Sequence, residues 1–300
     1  MGGGSWTRDA YSTYASSTKL ASKSISETFS QRSVHKNWDL KNVMIRESRD
    51  SDEHPNSTPI MIGLDVTGSM GIIPHNLIKK GLPDLMDKLL GSNQNGIIAD
   101  PQVMFLGIGD LAYDSAPIQA SQFESDIRIV EQLSQLFIER GGGGNGTESY
   151  DLAWVVAANY TSTDSWEKRG KKGYLFTIGD ELPPISSRIL SENTGRLRNH
   201  LCGIEKDLDP LQMLEKARER YSVFHLIIEQ GGGIRNYGLQ ETINQWREVL
   251  GNNAVLVNDY EKLPEIIASI IQVCEGRSAS DVIALYEGDT RRSVERALTE

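Results

Sequence analysis

Asp65, Thr67 and Ser69 alternate with Val66 and Gly68 at the end of a short apolar run that occupies residues 60–64. One carboxylate and two hydroxyls at that spacing are hard oxygen donors. They suit Mg²⁺ or Mn²⁺, Ca²⁺ less well, and not zinc, which prefers nitrogen and sulfur. The run before Asp65 predicts a buried strand that delivers the carboxylate to the edge of a sheet. Gly68 then allows a tight turn that turns both hydroxyls to one point.

Two further oxygens stand where such a site needs them. Residues 141–146 are glycine except for Asn145, and this loop ends at Thr147 just before a helical pattern. Residues 174–178 form a second apolar run, closed by Gly179 and Asp180. Each group taken singly has a commoner role: Asp65 or Thr147 as a helix cap, Glu148 and Asp151 as first-turn acids, Asp180 and Glu181 as a solvated turn before Pro183 and Pro184. Their convergence on one sheet edge favours a site, because ligands of open parallel sheets bind beyond the carboxyl ends of the strands.

This ordered set resembles the metal-ion-dependent adhesion site of von Willebrand factor A (vWA) domains. The resemblance covers residues 58–275, with Thr67 where the family usually has serine, a change that keeps the donor oxygen. It implies that Asp65, Thr67, Ser69, Thr147 and Asp180 coordinate Mg²⁺ or Mn²⁺, with Asp110, Asp114 and Glu181 nearby. It further implies a doubly wound, mainly parallel α/β sheet with helices on both faces. The function implied is non-enzymatic capture of an Asp or Glu carboxylate on a partner protein, as in cytosolic bacterial or phage members, whose partners include MoxR-type AAA+ ATPases and conflict-system components. The alternative chemistry is a metal hydrolase in which Asp110, Asp114, Glu181 or His75 is general base to a metal-bound water. His225, inside an apolar strand, reads as a core histidine.

Charge narrows the ligand class. With 41 acidic against 31 basic residues the net charge is −10, which argues against a nucleic-acid surface. The acids near the predicted site would repel a polyphosphate, and the glycine-rich loop lacks the Gly-Lys-Ser/Thr ending of a P-loop. The basic cluster at residues 168–172 precedes a strand and belongs at the opposite end of the sheet. Cys202 and Cys274 have no metal-ligand spacing and imply a reducing compartment. No apolar run approaches the roughly 20 residues of a membrane span, and the first residues lack the apolar core of a signal peptide. Trp6 breaks the myristoylation pattern at Gly2. The expectation is a cytoplasmic protein with no membrane partner, in which the sequons at Asn56, Asn145 and Asn159 stay unused.

The elements that must hold the site follow from periodicity. Strands are predicted at 60–65, 102–109, 173–179, 222–229 and 253–258, and helices at 72–90 (interrupted by Pro83), 127–139, 148–160, 208–221, 238–250 and 261–274. The vWA resemblance adds a short antiparallel edge strand at 122–125. Residues 1–57 read as an N-terminal extension with a thin apolar stripe (Tyr11, Tyr14, Ala21, Ile25, Phe29), either docked or partner-binding, followed by an extended segment at 38–45 and a charged linker. Residues 58–275 form the main domain. Residues 276–300 form a C-terminal helix or helix pair.

Overall fold

A computed structural model describes residues 4–42, 44–67, 70–91, 96–139, 148–185 and 188–300. Among these the strands are β1 (Arg46–Ser48), β2 (Ser57–Asp65), β3 (Asp100–Ile108), β4 (Ile118–Ala120), β5 (Thr161–Thr163), β6 (Gly173–Gly179), β7 (Tyr221–Ile228) and β8 (Ala254–Val257). Six of them form one sheet in the order β4–β3–β2–β6–β7–β8. All its pairings are parallel except β3 with β4. The fold is thus mixed α/β with a mostly parallel central sheet.

Register decides what the sheet presents at its edge. Asp65 lies opposite Ile108, Leu64 opposite Ile178 and Gly179 opposite Ile227. The carboxyl ends of β2, β3, β6 and β7 therefore finish level. Asp65, Asp110 and Asp180 leave the sheet within a residue or two of one another's rows. β2 is buried along its whole length, which explains its continuous apolar run in place of an alternating one.

Alternate residues of these strands serve two separate cores. Ile60, Ile62, Leu64, Phe105 and Phe176 face the helices Leu82–Leu90, Leu263–Cys274 and Gly288–Thr299. Met61, Met104, Leu106 and Leu175 face Asp151–Asn159, Pro210–Arg220 and Leu239–Leu250. The C-terminal residues form a helix pair, Ala279–Ile283 and Gly288–Thr299, and Ile283 and Val294 join the first core.

Local structure departs from the sequence expectations in four places. The antiparallel edge strand is Ile118–Ala120, and from 122–125 only Glu124 makes an isolated bridge, to Val103. At the break the Ser121 hydroxyl accepts the Phe105 N–H at 2.9 Å. The helical stretch from Ile72 to Leu90 passes through Pro83 with a π-helical segment at Leu77–Gly81. A proline has no N–H to give the carbonyl four residues back, here Lys79. The Tyr11 hydroxyl donates to that carbonyl instead. Of the helix expected over 127–139 only Arg128–Leu133 is helical, and a further short sheet pairs β1 with β5.

That tyrosine belongs to the N-terminal segment, which docks. Trp6, Leu20, Phe29 and Trp38 are buried in the first core, and Tyr11, Tyr14 and Ile25 pack against it. The Trp6 indole N–H donates to Asp87 at 3.2 Å, and Arg8 pairs with Asp84 and Asp87. Gly4 supplies its carbonyl to the Ser125 hydroxyl at 2.9 Å and lies 3.0 Å from His54 Nε2. The extended segment expected at 38–45 is irregular over its described residues; Trp38 and Leu40 are nonetheless fully buried. The basic cluster lies before β6, away from Asp65, with Lys168 and Arg169 paired to Asp50 and Lys171 to Glu275. Among the described residues no helix is long and apolar enough to cross a membrane, and Cys202 and Cys274 are free and exposed.

Candidate functional site

β2 ends on Asp65, whose side chain is almost wholly buried. Its Oδ1 accepts the Thr67 N–H at 2.9 Å and the Thr67 hydroxyl at 2.6 Å. Its Oδ2 accepts the Tyr150 hydroxyl at 3.0 Å. Burial raises the Asp65 carboxyl above the ordinary aspartate range, the Thr67 bonds oppose that, and the charge of Asp180 adds to it. Asp180 is equally buried, and its Oδ2 accepts the Gly233 N–H at 2.8 Å. Burial raises this carboxyl too, against the pull of the Gly233 N–H.

The neighbouring strand ends add more acid. After β6, Glu181 is pushed up to about 7 by burial and by the charges of Asp180 and Asp65. After β3, the Asp110 N–H donates to Asp114 Oδ2 at 2.8 Å, and Asp110 Oδ1 accepts the Ala112 N–H. This turn is stitched to the residues before the helix Asp151–Asn159: Ser149 accepts the Leu111 N–H at 2.9 Å and donates its own N–H to the Gly109 carbonyl. Glu148 is thereby held inside, 6% exposed. Its carboxyl lies well above the glutamate range, first from burial and then from Asp65, Asp114, Asp110 and Glu181. Asp151, 1% exposed, is pushed up to about 7 by burial. Glu148 Oε2, both Asp151 oxygens and Glu181 Oε2 are buried without a hydrogen-bond partner. None of Asp65, Asp114, Glu148, Asp151, Asp180 and Glu181 forms an ion pair with a Lys or Arg among the described residues.

Two glycines make room for this packing. A Cβ on Gly231 would stand 2.1 Å from Asp180 Oδ2, and one on Gly179 would stand 1.9 Å from the Tyr150 hydroxyl oxygen. Neither position admits a side chain without moving a group of the site.

Of the residues expected from sequence, Asp65, Thr67, Asp180 and Glu181 meet at one edge, with Asp110 and Asp114 on the adjoining turn. Ser69 and Thr147 lie outside the described residues, as do Gly68 and residues 141–146. Among the described residues no three Asp, Glu, His or Cys side chains converge closely enough to hold a metal alone. A metal here needs hydroxyl oxygens, of which Thr67's is already beside Asp65. His75, a general-base candidate of the hydrolase alternative, is half-buried, with Nε2 3.1 Å from the Lys23 carbonyl, so it points to the N-terminal segment and not to the acids. His225 is a core residue, its Nδ1 2.8 Å from the Thr177 hydroxyl, but its Nε2 has no partner.

Glu148, Tyr150 and Asp151 are the site's neighbours that sequence reasoning assigned no role at the site. Asp151 carried a signal, because it opens a helix that is otherwise apolar all round, Leu-Ala-Trp-Val-Val-Ala-Ala. Tyr150 carried none, since its reach to Asp65 depends on a missing side chain on another strand.

No family model and no curated protein matches the chain. Among solved structures it is similar to proximal thread matrix protein 1 from the mussel byssus, at 13% identity and a TM-score of 0.41, over 73% of this chain and 48% of that one. It is also similar to the pilus adhesin SpaC from Lactobacillus rhamnosus GG, at 11% identity and a TM-score of 0.42, over 79% of this chain and 31% of the adhesin. The chain thus spans about half of the first protein and about a third of the second. These likenesses assign it no family.

Proposed function

We propose that this chain is a vWA-like, non-enzymatic binding module that holds Mg²⁺ or Mn²⁺ and captures an Asp or Glu carboxylate of a partner protein. The observation that carries the reading is the pair Asp65 and Asp180. They sit buried at the ends of adjacent parallel strands, with the charge of Asp180 felt at Asp65; neither forms an ion pair with a basic side chain among the described residues, and Arg235 acts on Asp180 only through its charge. Buried charges are retained where a counter-charge compensates them.

The donor set fits a hard cation. Asp65, Thr67 and Asp180 offer oxygen only, and Ser69 and Thr147 would complete the set that the vWA resemblance implies. When bound, the metal would supply a Lewis-acidic centre able to take a partner's carboxylate as a further ligand. The chain's own residues prepare for this. Asp65 Oδ1 accepts the hydrogen bond of the Thr67 hydroxyl, which leaves that oxygen's lone pairs available. The Gly233 N–H fixes Asp180. The charges of Asp65 and Asp180 would already balance a dication, and Glu181 adds acid beside them, which disfavours a polyphosphate ligand and leaves a single carboxylate as the better-matched anion. The same reading extends to a doubly wound vWA fold over residues 58–275, to a cytoplasmic setting, and to a MoxR-type AAA+ ATPase or conflict-system component as partner.

One observation favours a second reading, a metal hydrolase. Glu181 has a buried, unpartnered Oε2 and a carboxyl near 7, the range of a general base. Affinity capture with Mg²⁺, with chelator, and with the Asp65→Ala variant tests the favoured reading. It predicts a bound protein that chelator releases and the variant fails to capture. A partner held equally in all three conditions contradicts it.

A further inference from the structure

A block of three aromatic rings lies directly beneath the acids. Tyr150 is fully buried and meets His225 edge-on with ring centroids 4.8 Å apart and Trp246 at 5.7 Å. His225 and Trp246 are stacked, 3.6 Å between centroids and 8° between planes. The block grips the site at both ends. At one end the Tyr150 hydroxyl donates to Asp65 Oδ2, and at the other the Trp246 indole N–H donates to the Glu181 carbonyl at 2.9 Å.

The position of the Tyr150 hydroxyl is over-determined. Two rings confine the phenol, and the hydroxyl occupies the space that a Cβ on Gly179 would fill. Asp65 Oδ1 is already bonded to Thr67, so the Tyr150 bond is what settles the remaining oxygen. A carboxylate with each oxygen tied keeps one rotamer before any ligand arrives, and the partners behind a metal's ligands commonly set its affinity.

We infer that Tyr150 is a positioning residue for Asp65, and that the Tyr150–His225–Trp246 block presets the carboxylate for a divalent cation. The inference rests on the metal-site reading above and adds a residue outside the coordinating set. Tyr150→Phe removes one oxygen and leaves the ring packing in place, so folding and metal affinity should separate.

The test combines Mn²⁺ titration followed by electron paramagnetic resonance with thermal melting in chelator, on wild type, Asp65→Ala and Tyr150→Phe. Wild type should bind one Mn²⁺ that Asp65→Ala loses. Tyr150→Phe should melt in chelator within a few degrees of wild type and bind Mn²⁺ about 10–100-fold more weakly. If Tyr150→Phe does not melt cooperatively, Gly179→Ala decides, because its Cβ displaces the hydroxyl while the tyrosine stays; the same loss of affinity is expected. Wild-type affinity in the folded variant overturns the positioning role alone. Failure of wild type to bind Mn²⁺ overturns the metal-site reading as well.

Discussion

Asp151 allows a sharp test of the electrostatics. It is fully buried, no side chain bonds its oxygens, and burial lifts its carboxyl from 3.8 to about 7 against the weak pull of the Asp151 and Leu152 backbone N–H groups. A carboxyl raised in the folded state favours folding only while it stays protonated. Its contribution is complete below the unfolded value near 3.8 and is lost as pH rises through the folded value near 7. Three units at about 1.4 kcal/mol each make the ionised group cost about 4 kcal/mol above pH 7, of which about 1.5 is already present at pH 5. Asp151→Asn keeps an acceptor at the helix start and removes the ionisation. In chelator, urea unfolding from pH 5 to pH 8 should therefore show wild type losing about 2.5 kcal/mol more than the variant. Parallel pH profiles would refute the claim that burial outweighs the backbone N–H groups at this carboxyl.

Removing residues 1–55 should give an insoluble or non-cooperative protein, since the cut exposes the seats of Trp6, Leu20, Phe29 and Trp38; a soluble product with an intact melt would show that the segment is dispensable. Trp38→Ala alone should cost about 3–5 kcal/mol by urea unfolding, and a loss below about 1 would show that the core closes over the gap. Tyr11→Phe should cost about 1 kcal/mol, because it strips the Lys79 carbonyl of the donor that replaces Pro83's missing N–H; no change would mean that water serves as well. Gly231→Ala should reduce metal-induced stabilisation by pushing Asp180 aside, and an unaltered response would remove Asp180 from the donor set.

The sheet was legible because buried parallel strands leave continuous apolar runs bounded by turn residues, and all five predicted strands lie within three residues of the observed ends. The placement of Asp65 and Asp180 at one edge followed, since a strand's last residue has one place to go. What was hidden depends on contacts distant in sequence. The depth to which Trp6, Leu20, Phe29 and Trp38 are buried could not be read from a segment rich in Ser and Thr, because four large side chains scattered over 33 positions make no periodic face. β1 and β5 are three residues each and exist only by pairing with one another. The grip of Tyr150 on Asp65 needs the absent side chain of Gly179, a relation no spacing along the chain encodes.

The most direct test of the central claim is thermal melting of wild type and Asp65→Ala in chelator and in excess Mg²⁺. A ligand held only by the folded state adds about 2.7 kcal/mol at 100 times its Kd, which in a chain of this size raises the melting temperature by several degrees. The account predicts that rise in wild type and none in Asp65→Ala. A wild type indifferent to Mg²⁺ and Mn²⁺, or a variant that shifts as far as wild type, would contradict it.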